Sequence, residues 1–205
     1  MHEELLLISG FLGSGKTTLV VALARELAAR GKKTSFVVNE VGEIGVDQQV
    51  MRDGGLEVFE ITAGCICCQV GIDLVKTLEV LSENYRSDMV IVEAAGVATP
   101  NGVSEALEYY KGVPFRRVVS AGVLDPTRLD MLLEVVTPLI ESQISQVDEI
   151  VISKLDEATE AQVHRAVEEA ARLNSKAPRF CVSAIDTASV GAWVETHTGG
   201  REAGK

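Results

Sequence analysis

Eight residues restrict this chain more than any others: Gly10-Phe11-Leu12-Gly13-Ser14-Gly15-Lys16-Thr17, which fit G-x-x-x-x-G-K-[ST] at every fixed position. Just upstream, Leu5-Leu6-Leu7-Ile8 is a short continuous apolar run, as expected of a strand covered on both faces. Downstream, Leu19, Leu23 and Leu27 recur every fourth residue over Thr17–Arg30, and Gly31 stands where a helix tends to end. In a strand–turn–helix setting the glycines let the backbone curl, so that successive N–H groups face a phosphate chain. The positive end of the helix favours the anion by a further amount of about 0.3–1 kcal/mol. An ordinary glycine turn before a helix is the competing reading, and the buried strand upstream argues against it. The chain therefore reads as a nucleoside triphosphate binder. Gly13, Ser14, Gly15, Lys16, Thr17 and Thr18 surround the phosphates, with Lys16 on the β- and γ-phosphates and the Thr17 hydroxyl on Mg²⁺.

The same alternation continues. Strands are expected at Thr34–Val38, Val58–Ile61, Met89–Val92 (ending at Glu93), Arg117–Val123, Glu149–Ile152 and Arg179–Val182. Helices are expected at Ile72–Tyr85, Gly102–Tyr110, Pro126–Val135 and Ala158–Asn174. Apolar strands alternating with amphipathic helices imply an α/β fold, with a mostly parallel central sheet and helices on both faces. No repeat or internal linker interrupts it, and 205 residues suit one domain. The polar, glycine-rich end from Thr196 to Lys205 is expected to fray.

Composition excludes several classes of function. Apolar residues at 46% and charged residues at 24% are ordinary for a soluble globular chain, not a disordered or fibrous one. A net charge of −11 repels phosphate backbones and argues against a nucleic-acid partner. No run approaches the roughly 18 apolar residues that a membrane-spanning helix needs, so no membrane partner is expected. The acidic start, Met1-His2-Glu3-Glu4, is unlike a secretory signal. Four cysteines, three of them at Cys65, Cys67 and Cys68, are no disulfide framework and suit reduced, cytoplasmic thiols.

Late in the chain Ile150-Val151-Ile152 runs into Ser153-Lys154-Leu155-Asp156, an S-K-x-D where GTPases read guanine with N-K-x-D. The Asp156 carboxylate would accept from the guanine N1 and N2 donors, which adenine lacks. Ser153 in place of Asn is expected to weaken the base contact and the tie back to the phosphate loop. A charged helix start is the alternative reading of these four residues. Farther on, Cys181-Val182-Ser183-Ala184 resembles the Ser-Ala loop that closes over guanine in the same enzymes.

Three segments lie between these ends: Asn39-Glu40-Val41-Gly42-Glu43-Ile44-Gly45-Val46-Asp47, Gly64-Cys65-Ile66-Cys67-Cys68, and Val90-Ile91-Val92-Glu93-Ala94-Ala95-Gly96. Taken in order with the phosphate loop, they resemble the CobW-like GTPases of the CobW/HypB/UreG type, relatives of the nickel-insertion GTPases of hydrogenase and urease maturation. Those proteins carry N-E-x-G-E-x-x-x-D, then G-C-I-C-C, then Glu-x-x-Gly. The resemblance runs from Leu5 to Ala184. It implies a P-loop NTPase of the SIMIBI class that binds GTP and GDP. Residues 1–195 would form a single GTPase domain and 196–205 a flexible tail, without a C-terminal CobW-type domain. It assigns catalytic roles to Lys16, Thr17 and Glu93, Mg²⁺ to Thr17, Asp47 and Glu93, and a place beside the nucleotide to Gly96. One departure is Ala94, which lacks the hydroxyl that comes after the motif Glu in relatives.

The cysteine cluster packs three soft ligands into four residues. Thiolates suit Zn²⁺, Cu(I) or Co²⁺, and Glu40 and Glu43 would add harder oxygen donors. Buried reduced thiols are the alternative; the flanking Gly64 and Gly71 and the position between two switch-like segments favour metal. Cys181 is expected in the core, and His2, His164 and His197 exposed or terminal. The leading functional reading is a GTP-binding, slowly hydrolysing metallochaperone or insertase that serves a metalloprotein client or a cofactor-synthesis enzyme. Nucleotide-dependent homodimerisation is open in this class. One alternative is a regulatory module with little intrinsic turnover; another is an activator of a corrinoid or methyltransferase partner. A small-molecule kinase fits less well, because no arginine-rich lid is present.

Overall fold

The computed structural model describes residues 2–38, 56–60, 69–85, 87–94 and 100–198. In chain order its elements are β1 (His2–Gly10), α1 (Lys16–Ala29), β2 (Thr34–Val38), β3 (Leu56–Glu60), α2 (Gln69–Asn84), β4 (Met89–Glu93) and α3 (Pro100–Leu107). They continue with β5 (Phe115–Leu124), α4 (Leu129–Val135), α5 (Thr137–Ile144), β6 (Glu149–Ile152), α6 (Glu160–Leu173), β7 (Arg179–Cys181) and α7 (Thr187–Thr198). The strands form one sheet in the order β3-β2-β4-β1-β5-β6-β7. Every described pairing is parallel, so the sheet is more uniform than the mostly parallel one expected.

The continuous apolar runs are explained by cover on both faces. Successive side chains of β1 alternate: Leu6 and Ile8 pack with α1 and α7, while Leu5 and Leu7 pack with α2 and α3. Leu19, Leu23 and Leu27 present the buried stripe of α1, and fully burying such a side chain contributes about 1.5–3 kcal/mol. A third cluster joins Ile150 and Ile152 of β6 to Leu129, Leu132, Ile140, Ile144, Ala166 and Ala170. Thr159 caps α6 by accepting from the Gln162 N–H, while the Gln162 side chain accepts from Thr159 in return.

Three expectations change at the end of the chain. Thr196–Thr198 form the last turn of α7, which crosses the boundary drawn at residue 195. His197 is not exposed, because its imidazole is completely buried between two carboxylates, with Nδ1 against Glu4 and Nε2 3.1 Å from Glu149. Trp193, one turn earlier and fully buried, donates its indole N–H to Glu149 at 2.8 Å. Arg117 donates to Glu4 at 3.0 Å and to the Thr196 carbonyl at 3.2 Å. This polar cluster locks α7 to the amino ends of β1, β5 and β6. Cys181 is the third correction: β7 is one of the two outer strands of the described sheet, and its thiol-bearing residue is exposed rather than in the core. His164 is exposed, as expected. The expected helix at Pro126–Val135 begins only at Leu129, and a second helix starts at Thr137, with Pro138 tolerated in its first turn.

Burial alone would lower the His197 pKa, but hydrogen bonds and charge from Glu149 and Glu4 override it and raise it from 6.5 to about 9. The imidazolium's contribution is therefore fully present below the unfolded value of 6.5 and lost as pH rises through about 9. Urea unfolding of the wild type should show stability falling between these limits. His197→Gln should flatten that slope and cost about 3–5 kcal/mol at pH 7, as expected when one partner of a buried charged set is removed.

Candidate functional site

Register brings four strand ends to one edge of the sheet. Ile8 lies beside Glu93, Gly10 beside Val123, and Leu124 beside Ile152. The segments that leave β1, β4, β5 and β6 therefore meet at the carboxyl end of a parallel sheet, where α/β folds place ligands.

The loop after β1 curls as its glycines suggest, with φ of +74° at Gly13 and +87° at Gly15, a left-handed region open to few other residues. Gly15 caps α1 at its N-terminus. Lys16 is buried, and its ammonium donates to the carbonyls of Gly10 at 3.0 Å and Phe11 at 3.4 Å across the loop. The Ser14 hydroxyl is buried and finds no hydrogen-bond partner among the described residues, so a ligand oxygen would satisfy it. Thr17, on the first turn of α1, donates its hydroxyl to the Glu93 carboxylate at 2.9 Å, and Glu93 is only 1% exposed. A hydroxyl and a buried carboxylate in contact beside a phosphate loop form a hard-oxygen set suited to Mg²⁺. Thr18, one residue on, is exposed.

The opposite flank is formed by the segment after β6. Ser153 is buried, and its hydroxyl reaches the Ser14 carbonyl at 2.8 Å and the Leu124 carbonyl at 3.1 Å. Serine thus makes the tie back to the phosphate loop that its short side chain is expected to weaken. Lys154 takes φ +53°, which costs a residue with a Cβ roughly 1–2 kcal/mol, and its carbon stem lies across Gly15. Its ammonium pairs with Asp125 at 3.0 Å. Asp156 is exposed and accepts a hydrogen bond from the Ser183 hydroxyl, joining the two guanine-loop segments expected from sequence; Ala184, the next residue, is half-buried.

Asp125 and Arg128 are site residues that sequence reasoning misses. The Asp125 side chain is fully buried and accepts from the Thr127 N–H at 2.9 Å, the Thr127 hydroxyl at 2.6 Å, Lys154, and Arg128 Nε at 2.9 Å. Burial pushes its pKa up, yet the hydrogen bonds from Thr127, Lys154 and Arg128 outweigh this and hold it below the usual value. The available signal is Asp125-Pro126-Thr127 directly after an apolar strand, a turn pattern in which Asp bonds its own backbone two residues on. A helix expected to start at Pro126 obscures it.

Asp47, Gly96, Glu40, Glu43, Cys65, Cys67 and Cys68 lie outside the described residues. Among the described residues, no three His, Cys, Asp or Glu side chains converge as a metal site, and no helix is long and apolar enough to cross a membrane.

A glycine loop of the phosphate-binding pattern, the Thr17–Glu93 contact and the Ser153–Asp156 flank at one end of a parallel sheet define the class as a P-loop nucleotide-binding protein. Residues 4–180 match the family described as CobW/HypB/UreG, nucleotide-binding domain, and the chain belongs to that family. The zinc chaperone YjiA of Escherichia coli (strain K12) is 32% identical over 185 residues, covering 86% of this chain and 56% of that protein. The chain therefore spans little more than half of that relative. The Zn(II)-bound YjiA GTPase structure from E. coli superposes with TM-score 0.61 at 25% identity, covering 89% of this chain and 58% of that one. HypB from Helicobacter pylori in complex with nickel gives TM-score 0.67 at 22% identity, over 94% and 84%.

Ser153→Ala would leave the buried Ser14 carbonyl without the Ser153 donor, at a cost of about 1–3 kcal/mol. The urea midpoint should fall accordingly; an unchanged midpoint would mean that the tie carries no load.

Proposed function

We propose that this chain is the GTP-binding and slowly GTP-hydrolysing part of a cytoplasmic metallochaperone or insertase. In this reading the nucleotide state is coupled to a soft metal ion at Cys65-x-Cys67-Cys68. The observation that carries it is the 2.9 Å hydrogen bond from Thr17 to Glu93 beside the phosphate loop. It sets the loop's own hydroxyl against the carboxylate at the end of β4, as a nucleotide-bound Mg²⁺ requires. Thr17 and Glu93, with Asp47, would hold that ion, which when bound supplies positive charge against the phosphate oxygens. Lys16 neutralises the β- and γ-phosphates, and the loop amides bind the remaining oxygens. Asp156 reads the guanine N1 and N2 donors, its carboxylate oriented by Ser183. Glu40 and Glu43 complete the sulfur site, and Gly96 lies near the terminal phosphoryl.

Zinc, with Co²⁺ as the substitute ion, is favoured by thiolate softness and by the names of the zinc-binding relatives. The metal is cargo for a metalloprotein client or a cofactor-synthesis enzyme. Because binding linkage is reciprocal, metal alters GTP affinity as much as GTP alters metal affinity. Hydrolysis then loosens the site and releases the ion. Ala94 supports the second reading, a regulatory or activator role with little intrinsic turnover. It is 3% exposed and packed among the apolar residues beneath α2, with no hydroxyl to offer the reaction.

Asp156→Asn should reduce GTP affinity by about 10–100-fold, the worth of a hydrogen bond to a charged group, in a fluorescent-nucleotide titration. In parallel, Zn²⁺ or Co²⁺ should change GTP turnover or affinity in the wild type, and Cys67→Ser should abolish that response. A wild type indifferent to metal ends the coupling.

A further inference from the structure

We propose that Arg128, tethered by Asp125, is a positioning residue of the phosphate loop. Its guanidinium holds the Leu12 carbonyl outward and so turns the Gly13 N–H toward the phosphates. The inference rests on the proposed nucleotide binding and concerns how the loop keeps its shape.

In a planar trans peptide the carbonyl and the following N–H point to opposite sides, so a clamp on one aims the other. Arg128 Nη2 donates to the Leu12 carbonyl at 2.9 Å. The carbonyl of Leu12 and the N–H of Gly13 belong to the same peptide. The guanidinium also closes on Gly13 with its Nη1–Nη2 edge: a Cβ there would come within 3.1 Å of Nη2 and 3.2 Å of Nη1. Glycine therefore permits both the left-handed turn and the approach of the arginine. The other side of the fork is fixed, because Arg128 Nε binds Asp125 Oδ2 at 2.9 Å. Thr127 occupies Oδ1, and the whole carboxylate is buried. A rigid planar fork anchored at Nε has little freedom in where it presents Nη2.

The same logic operates two peptides along, where Ser153 holds the Ser14 carbonyl at 2.8 Å and thereby aims the Gly15 N–H. Alternate peptides of the loop are thus braced from outside by two chain segments, one after β5 and one after β6. The arginine brace accounts for the sufficiency of a short serine at position 153: the loop is held from a second side.

The test measures the affinities of the full chain for fluorescent GDP and for a non-hydrolysable GTP analogue. Arg128→Ala should weaken both by the same factor, about tenfold, in protein that circular dichroism shows to be still folded, with a lowered urea midpoint from the loss of Asp125's partner. Arg128→Lys should remain impaired, since an ammonium cannot span Asp125 and the Leu12 carbonyl as the fork does. Unchanged affinities in Arg128→Ala would overturn the proposal. Full rescue by lysine would also overturn it, because charge alone would then suffice. A loss confined to the GTP analogue would do so as well, by showing that the arginine touches the terminal phosphoryl itself. Failure of the wild type to bind either nucleotide would instead remove the nucleotide reading, and this inference with it.

Discussion

An amide can face an anion only if its own carbonyl is turned away and held there. Around residues 10–17 that requirement organises the neighbouring elements. Ser153 and Arg128 catch the carbonyls of Ser14 and Leu12, and the Lys16 ammonium lies across those of Gly10 and Phe11. Asp125 stands behind two of the cations involved, Arg128 and Lys154, and its burial makes their geometry costly to change. The Ser153–Asp156 flank and the phosphate loop are therefore one bonded unit. A change at the end of β5 reaches both.

The parallel register explains how such distant segments come together. Because β1 is flanked by β4 and β5, the chain leaving β4 meets one side of the loop and the chain leaving β5 meets the other. Glu93 arrives beside Thr17 for this reason, although it lies 76 positions later in sequence. The opposite end of the sheet carries no loop of this kind among the described residues. It is closed by His197, Glu4, Glu149, Arg117 and Trp193, a compact charged set that holds the last described helix in place.

Much of this is legible in the sequence, because local signals agree with the fold. The strand at Leu5–Ile8, the leucine stripe of α1 and the G-K-T turn each dictate their own conformation, and the S-K-x-D segment announces its place after β6. The parts that sequence reasoning misses depend on partners far away along the chain. Nothing near His197 signals that Glu4 and Glu149 will enclose it. The adjoining Thr196 and Thr198 look like a polar end, and only tertiary burial makes a helix of them. Cys181 sits in an apolar run that suggests the core, yet β7 lies at the sheet edge, and edge position is a property of topology, not of residue type. Arg128 is hidden in an expected helix because its role is set by Asp125 and by a carbonyl 116 residues earlier.

The His197 clasp also bears on how the chain is made. Glu4 is synthesised 193 residues before its imidazole partner. At synthesis rates of about 5–20 residues per second, that separation is an interval of roughly 10–40 s. Until it ends, Glu4 has only Arg117 as its cation, Glu149 joins 48 residues before its close, and neither carboxylate has the imidazolium that bridges them. The seating of the last described helix on the sheet is thus timed by residue 197, however early the nucleotide loop has left the exit tunnel.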